Sequence, residues 1–187
     1  MTQQEDIERA VDAMRRGGVI VYPTDTVWGI GCDARCSEAV RRVFEIKRRA
    51  DSKALITLVD SELMLARHTA CCQLPAIAAE SGRPVTVVYP KGIGVAPELL
   101  AEDGSIGVRL TRESISAGLC GALGAPLVST SANISGEPTP TCFDRIDAEI
   151  LSAVDYVMAS RRDDCTATQP SMVVKLMADG NIIILRP

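Results

Sequence analysis

Short apolar runs rich in β-branched residues recur along the chain, and helical patterns separate most of them. They are Val19-Ile20-Val21-Tyr22, 55–59, 84–90, 105–110, the Pro126-Leu127-Val128 stretch, and the segments around 156–158, 172–177 and 182–187. Runs of this length bounded by Gly, Pro and Asn read as strands. Amphipathic helical spacing predicts helices over 3–16 (ended by Gly17-Gly18), 37–48 with Ser37 as N-cap, 112–123 and about 143–151. Shorter helical pieces cover "SELMLARHTA" and "LPAIAAES". The order is helix, strand, helix, strand, helices, strand, helix, strand, helix and a terminal hairpin around "ADGN". It implies an α/β fold: a single domain with a twisted mixed parallel and antiparallel sheet flanked by helices. Residues 1–187 show no repeat, linker or composition break that would divide them.

Aromatic residues make up only 3% of the chain, so the core must be aliphatic. The net charge of −4 gives no global attraction for nucleic acid, so any such contact needs a local patch. One is present in the sequence: 35–53 holds Arg35, Arg41, Arg42, Lys47, Arg48, Arg49 and Lys53 against Glu38, Glu45 and Asp51. The seven cysteines form no C-x-x-C pair, and with no secretory signal they read as reduced thiols of a cytoplasmic protein. Cys71 and Cys72 read as core or lining thiols. The lone histidine, His68, reads as a surface residue, and no metal site is indicated. No apolar run reaches the roughly 20 residues of a membrane span.

Four segments share one design, a strand opening into hydroxyls, glycines or cations. They are Pro23-Thr24-Asp25-Thr26, Lys47 to Lys53, Ser105 to Arg109, and Ser129 to Gly136. Strand ends of α/β sheets are where ligands bind, and hydroxyls, backbone N–H groups and Arg or Lys suit phosphate oxygens. Each also has a purely structural reading. The first can be a cap or Asx-turn, the second a solvated helix end, the last an ordinary Ser/Asn turn, and Arg109 a partner in a structural salt bridge. Neither G-x-x-x-x-G-K-(S/T) nor a strand-linked G-x-G-x-x-G is present, so a nucleotide would need an unusual cradle.

Taken together these segments resemble the YrdC-like family of threonylcarbamoyl-AMP synthases in its short form. Pro23 to Gly31 is similar to the family opening P-T-(D/E)-T-V-Y-G-L-G, Lys47 and Arg49 to its K-x-R, and Val108-Arg109 to its V-R strand. Ser131 to Pro140 follows its S-A-N-x-S-G-x-P-(S/T)-P without a gap. Ser171-Met172-Val173 and Ile184 to Pro187 resemble its closing elements. Ala50, Ala54, Leu58 and Met172 differ from the usual residues, and the chain ends at Pro187 where longer members continue. The resemblance implies a nucleotidyltransferase that joins L-threonine, bicarbonate or CO2, and ATP into threonylcarbamoyl-AMP and pyrophosphate. Mg2+ would travel with ATP, and the product would pass to proteins that modify tRNA adenosine next to the anticodon. It implies Lys47 and Arg49 as the catalytic cations at the phosphates. Lys47, Arg49, Lys53, Ser105, Ser129, Ser131, Asn133, Thr139 and Arg186 would hold nucleotide, and Thr26, Arg109 and Ser171 threonine. Two other readings stand beside it: a double-stranded RNA-binding or ribosome-maturation factor using the same basic concave surface, also able to meet tRNA, and a carbamoyl-transfer module acting on another protein.

Overall fold

The computed structural model describes residues 1–48, 55–71, 73–165, 170–177 and 179–187. Arg49, Ala50, Lys53, Ala54 and Cys72 lie outside the described residues.

Helix α1 (Gln3–Arg15) starts where the sequence says it must. Thr2 accepts from the Glu5 amide while the Glu5 carboxylate accepts from the Thr2 amide, a reciprocal capping box. Strand β1 (Ile20–Tyr22) follows the Gly17-Gly18 stop, then β2 (Gly29–Gly31) and α2 (Ser37–Ile46). Cys36, rather than Ser37, holds the N-cap position of α2 and gives no side-chain cap. Next come β3 (Ile56–Val59), α3 (Glu62–His68), α4 (Ala76–Glu80), β4 (Val85–Tyr89) and β5 (Ile106–Leu110). After them run α5 (Ser114–Leu123), β6 (Leu127–Ser131), α6 (Ala148–Ala153), β7 (Tyr156–Val157), β8 (Met172–Leu176) and β9 (Ile182–Arg186). The expected start of α6 near residue 143 is instead a single 3-10 turn, Phe143–Arg145, and Asp147 caps the helix proper.

The strands form one nine-stranded sheet in the order β7-β1-β2-β6-β3-β5-β4-β8-β9. The pairs β1–β7, β3–β5 and β4–β8 are parallel, and the other five are antiparallel, so the sheet is mixed. Side chains alternate between two faces. On one face Val19, Val21, Ile30, Val87, Val108, Val128 and Val174 meet Val40, Val43 and Phe44 of α2. On the other, Ile20, Tyr22, Leu58 and Leu127 meet Val11 and Met14 of α1 and Ile115 and Leu119 of α5. Leu58, where the family pattern favours a polar residue, is fully buried in this second layer. None of the helices among the described residues is long and apolar enough to cross a membrane.

One expectation about the cysteines is corrected. Cys142 and Cys165 form a disulfide with their Cα atoms 4.5 Å apart, whereas Cys32, Cys36, Cys71 and Cys120 are free. The pairing arises because β7 lies beside β1, which returns the segment after it to the loop that follows β6. The 23-residue separation carries no such signal in the sequence.

Candidate active site

The second face of the sheet is covered by α1 and α5 only over part of its width. Further across, at β5, β4 and β8, it becomes the floor of a cavity of about 1070 Å3, and among the described residues no helix residue lines it. Strand alternation decides what shows there. In β5 and its lead-in, Ile106 and Val108 point to the core, while Ser105, Gly107 and Arg109 face the cavity. In β4, Val85, Val87 and Tyr89 are core, and Thr86 and Val88 are floor. In β8, Val174 and Leu176 are core, and Val173 and Lys175 are floor. β6 adds Ser129 and Ser131. Thr86, Val173 and Lys175 were missed in the sequence, although the same period-2 pattern marks them.

The Pro23–Thr26 segment is a hydroxyl-closed turn. The Thr24 hydroxyl accepts from the amides of Thr26 and Val27 and donates to the Val27 carbonyl at 2.7 Å, with the Thr26 hydroxyl 3.1 Å away. The turn is therefore structural, as one sequence reading allowed, and it also delivers Thr24 and Thr26 to the cavity wall. Asp25 meets Arg109, whose Nη2 donates to Oδ1 at 3.1 Å. Arg109 is only 4% exposed, and its Nε is buried with no hydrogen-bond partner among the described residues. A buried guanidinium with an unmet donor on a cavity wall is an anion site in waiting.

At the far wall Ser171 is held from two sides. Its hydroxyl lies 3.0 Å from that of Thr86, and Nε and Nη2 of Arg186 donate to its carbonyl at 3.1 and 2.7 Å. Ser105 and Thr139 also line the cavity. Hydrogen bonds from the Ser105 hydroxyl and amide lower the Asp103 carboxyl to about 2, with Lys175 at 3.4 Å adding to the effect.

Two expected residues sit elsewhere. Lys47 does not line the cavity. It is 1% exposed, and its ammonium donates to the carbonyls of Ser131 and Asn133, at 2.7 Å for the latter. Lys47 terminates α2 just beneath the 131–136 loop, so its stem spans the gap and its charge caps that loop from below. Asn133 turns into its own loop, where Nδ2 donates to the Ile134 and Glu137 carbonyls at 3.1 and 2.8 Å. Arg49 and Lys53 are outside the described residues. Thus Thr26, Ser105, Arg109, Ser129, Ser131, Thr139, Ser171 and Arg186 meet at one cavity, with Lys47 and Asn133 supporting its rim.

The basic stretch is not a bare positive surface. Arg35 pairs with Asp33, Arg41 with Glu98, Arg42 with Asp155 and Arg48 with Glu149. Each described arginine of the patch has its own carboxylate, which offsets its charge toward a polyanion. His68 is half-buried, with Nδ1 3.0 Å from the Ile93 carbonyl.

A family model described as telomere recombination (Sua5/YciO/YrdC) matches residues 12–187. The threonylcarbamoyl-AMP synthase of Xanthomonas axonopodis pv. citri (strain 306) is 39% identical over 163 residues, covering 84% of this chain and 87% of that protein. The crystal structure of E. coli YciO superposes with a TM-score of 0.81 at 27% identity, covering 100% of this chain and 90% of that one. P. abyssi Sua5 complexed with L-threonine superposes with a TM-score of 0.80 at 26% identity. That match covers 98% of this chain, which spans about half, 54%, of the Sua5 chain. With agreement running from α1 to the last strand in both sequence and fold, the chain belongs to the Sua5/YciO/YrdC family.

Proposed function

We propose that the chain is an L-threonylcarbamoyladenylate synthase. The amine of L-threonine adds to CO2, drawn from bicarbonate, and loses a proton to give a carbamate. A carbamate oxygen then attacks the α-phosphorus of ATP, the bond to the β-phosphate oxygen breaks, and pyrophosphate leaves. No covalent enzyme intermediate is needed. The demands on the protein are proximity and charge neutralisation. The observation that carries the reading is the buried Arg109, half-satisfied by Asp25, on the wall of a cavity otherwise rich in hydroxyls.

In this reading Arg109 receives the threonine carboxylate, and Thr26 and Ser171 hold its remaining polar groups. Ser105, Ser129, Ser131, Thr139 and Arg186 face the nucleotide. The Arg186–Ser171 contact makes the two subsites neighbours, as the attack on phosphorus requires. Lys47 acts by holding the Ser131–Asn133 backbone, Asn133 by closing that loop, and Arg49 and Lys53 supply phosphate charge from their stretch of the chain. Mg2+ would arrive on the triphosphate, whose oxygens are its natural ligands. Residues 1–187 act as one domain in the cytoplasm, where ATP and tRNA meet, and the product passes to the proteins that modify tRNA. The carboxylate partners of Arg35, Arg41, Arg42 and Arg48 argue against double-stranded RNA as the primary ligand.

The test is pyrophosphate release from ATP in bicarbonate with labelled threonine. Release is expected to depend on threonine. Arg109→Gln is expected to raise the KM for threonine roughly 30-fold, the loss of one charged hydrogen-bonded pair. Release that continues unchanged without threonine overturns the proposal.

A further inference from the structure

Three stretches of chain meet at one corner of the cavity mouth. The first is the Pro23–Trp28 turn, which carries Thr26 and the Asp25 that pairs with Arg109. The second runs from Thr141 to Phe143, and the third is 161–165, which follows β7. Arg161 and Asp164 close a side pocket of about 50 Å3 against the turn, and Thr141 lines both that pocket and the main cavity. Phe143 joins the three stretches. Trp28 meets its ring at 60° with centroids 5.0 Å apart, and the Arg162 guanidinium lies 4.4 Å from its centroid.

The third stretch is weakly held apart from one bond. Arg161 takes a left-handed backbone conformation, φ 59°, which is unfavourable for a residue with a Cβ. Its side chain is 36% exposed and pairs with Glu113 at 3.2 Å and with Asp164 at 2.6 Å. Arg162 donates to the Val157 and Met158 carbonyls, which shapes the turn but does not bridge it to 141–143. The bridge is made by the Arg162–Phe143 contact and by the Cys142–Cys165 disulfide. Part-exposed ion pairs and a cation–π contact at the surface are each worth less than closure of a loop of 23 residues. The disulfide is therefore the dominant tie between 161–165 and the cavity rim. Cys165 is exposed and Cys142 part-exposed, so a soluble thiol can reach the bond.

We infer that Cys142–Cys165 is a redox switch on threonine binding: the disulfide holds 161–165 against the turn that carries Thr26 and Asp25, and its reduction releases that support. This rests on the synthase reading above and on its cytoplasmic setting, where an accessible disulfide is a transient, sensing bond. The step is thiol–disulfide exchange. A dithiol supplies two electrons and two protons, the S–S bond breaks to two thiols, and the dithiol closes to its own disulfide. In the reverse direction glutathione disulfide restores the bond and leaves as two glutathione thiols. With the bond open, the side pocket loses its Arg161–Asp164 wall, and Asp25 and Thr26 lose the packing that fixes them beside Arg109.

The experiment treats wild type and Cys142→Ser with glutathione disulfide or with dithiothreitol, then removes the reagent. Iodoacetamide in denaturant, read by mass spectrometry, should leave Cys142 and Cys165 unlabelled in oxidised wild type and label both after reduction. Reduction is expected to raise the KM for threonine about fivefold, the scale of one hydrogen bond. Tryptic cleavage after Arg161 and Arg162 should become several-fold faster, and glutathione disulfide should reverse both changes. Cys142→Ser should stay at the reduced values and ignore both reagents. Labelling of both cysteines in oxidised wild type, an equal KM for threonine in the two states, or a wild-type response in Cys142→Ser overturns the inference. Should Cys142→Ser fail to fold, wild type decides alone, and a KM that glutathione disulfide does not restore is fatal. Failure of the synthase reading shows separately: labelling and cleavage follow the redox state, while oxidised wild type releases no threonine-dependent pyrophosphate.

Discussion

Two cations from the sequence motifs, Arg109 and Lys47, are both almost wholly buried, and their surroundings give them opposite work. Arg109 keeps an unmet donor beside the cavity, which suits a ligand that arrives with its own charge. Lys47 gives its charge to two carbonyls of the 131–136 loop. Sequence spacing could align both with family motifs, but it could not tell a ligand-facing cation from a loop-holding one. That distinction depends on where Ser131 and Asn133 lie relative to the end of α2. Lys47→Met preserves the stem and removes the ammonium, which takes one donor from the Asn133 carbonyl and leaves the Ser131 carbonyl with the Asn133 amide. The expected cost is about 3 kcal/mol in urea unfolding, with a raised KM for ATP as the loop loosens. Arg48→Gln, which breaks an exposed pair with Glu149, should cost less than about 1 kcal/mol. Equal stability of the two variants would refute the loop-holding role.

At the scale of elements, the strands with aliphatic runs were legible and β2 was not. Its three residues are Gly29, Ile30 and Gly31, with no periodicity to read and two residues that usually weaken strands. What makes it a strand is external: β1 and β6 flank it, and the Tyr22 ring lies across the space a side chain would take. At Gly31 a Cβ would also meet the Val128 carbonyl oxygen at 2.5 Å, an atom of the backbone that cannot step aside. Gly31→Ala is therefore expected to destabilise the fold by about 2–3 kcal/mol through overpacking. Gly107, on the cavity floor, is the contrast. Its Cβ would sit 3.5 Å from Cγ2 of Thr86, an ordinary contact, so Gly107→Ala should melt within a few degrees of wild type. Melting curves decide, and Gly31→Ala as stable as Gly107→Ala would sink the account of β2.

Across the whole molecule, strand parity made the polar face of β4, β5 and β8 readable, but not which half of the sheet the helices leave open. That depends on strand order, and the order joins residues far apart in the chain. The partners of Arg42 and Arg48 lie beyond residue 148, so in sequence these arginines looked unopposed while the fold gives each a carboxylate. The Cys142–Cys165 pair escaped notice for the same reason. Long-range closure also sets how the molecule should meet acid. The edge strand β7 has two residues, and two carboxylates secure the chain around it. Asp6 of α1 accepts from the Tyr156 hydroxyl at 2.6 Å, the Ala159 amide and the Ser160 amide and hydroxyl. Asp155 accepts from the Val19 amide and from Arg42, each near 2.7–2.8 Å. Burial works to raise both pKa values. Hydrogen bonds from Ser160 and Tyr156 outweigh it at Asp6, and those from Val19 and Arg42 outweigh it at Asp155, so both end below the ordinary 3.8. With folded values below unfolded ones, the stabilisation is complete above about pH 4 and is lost as pH falls through the depressed values. Between neutrality and pH 5 these two groups should therefore contribute no pH dependence, and below pH 4 the β7 edge should loosen. Asp6→Asn is expected to be less stable at pH 7 by about 2 kcal/mol, because its amide cannot accept all of those donors. It should also show a flatter decline of stability between pH 4 and 2 than wild type. Parallel slopes for the two proteins in that acid window would show that Asp6 is not what acid releases.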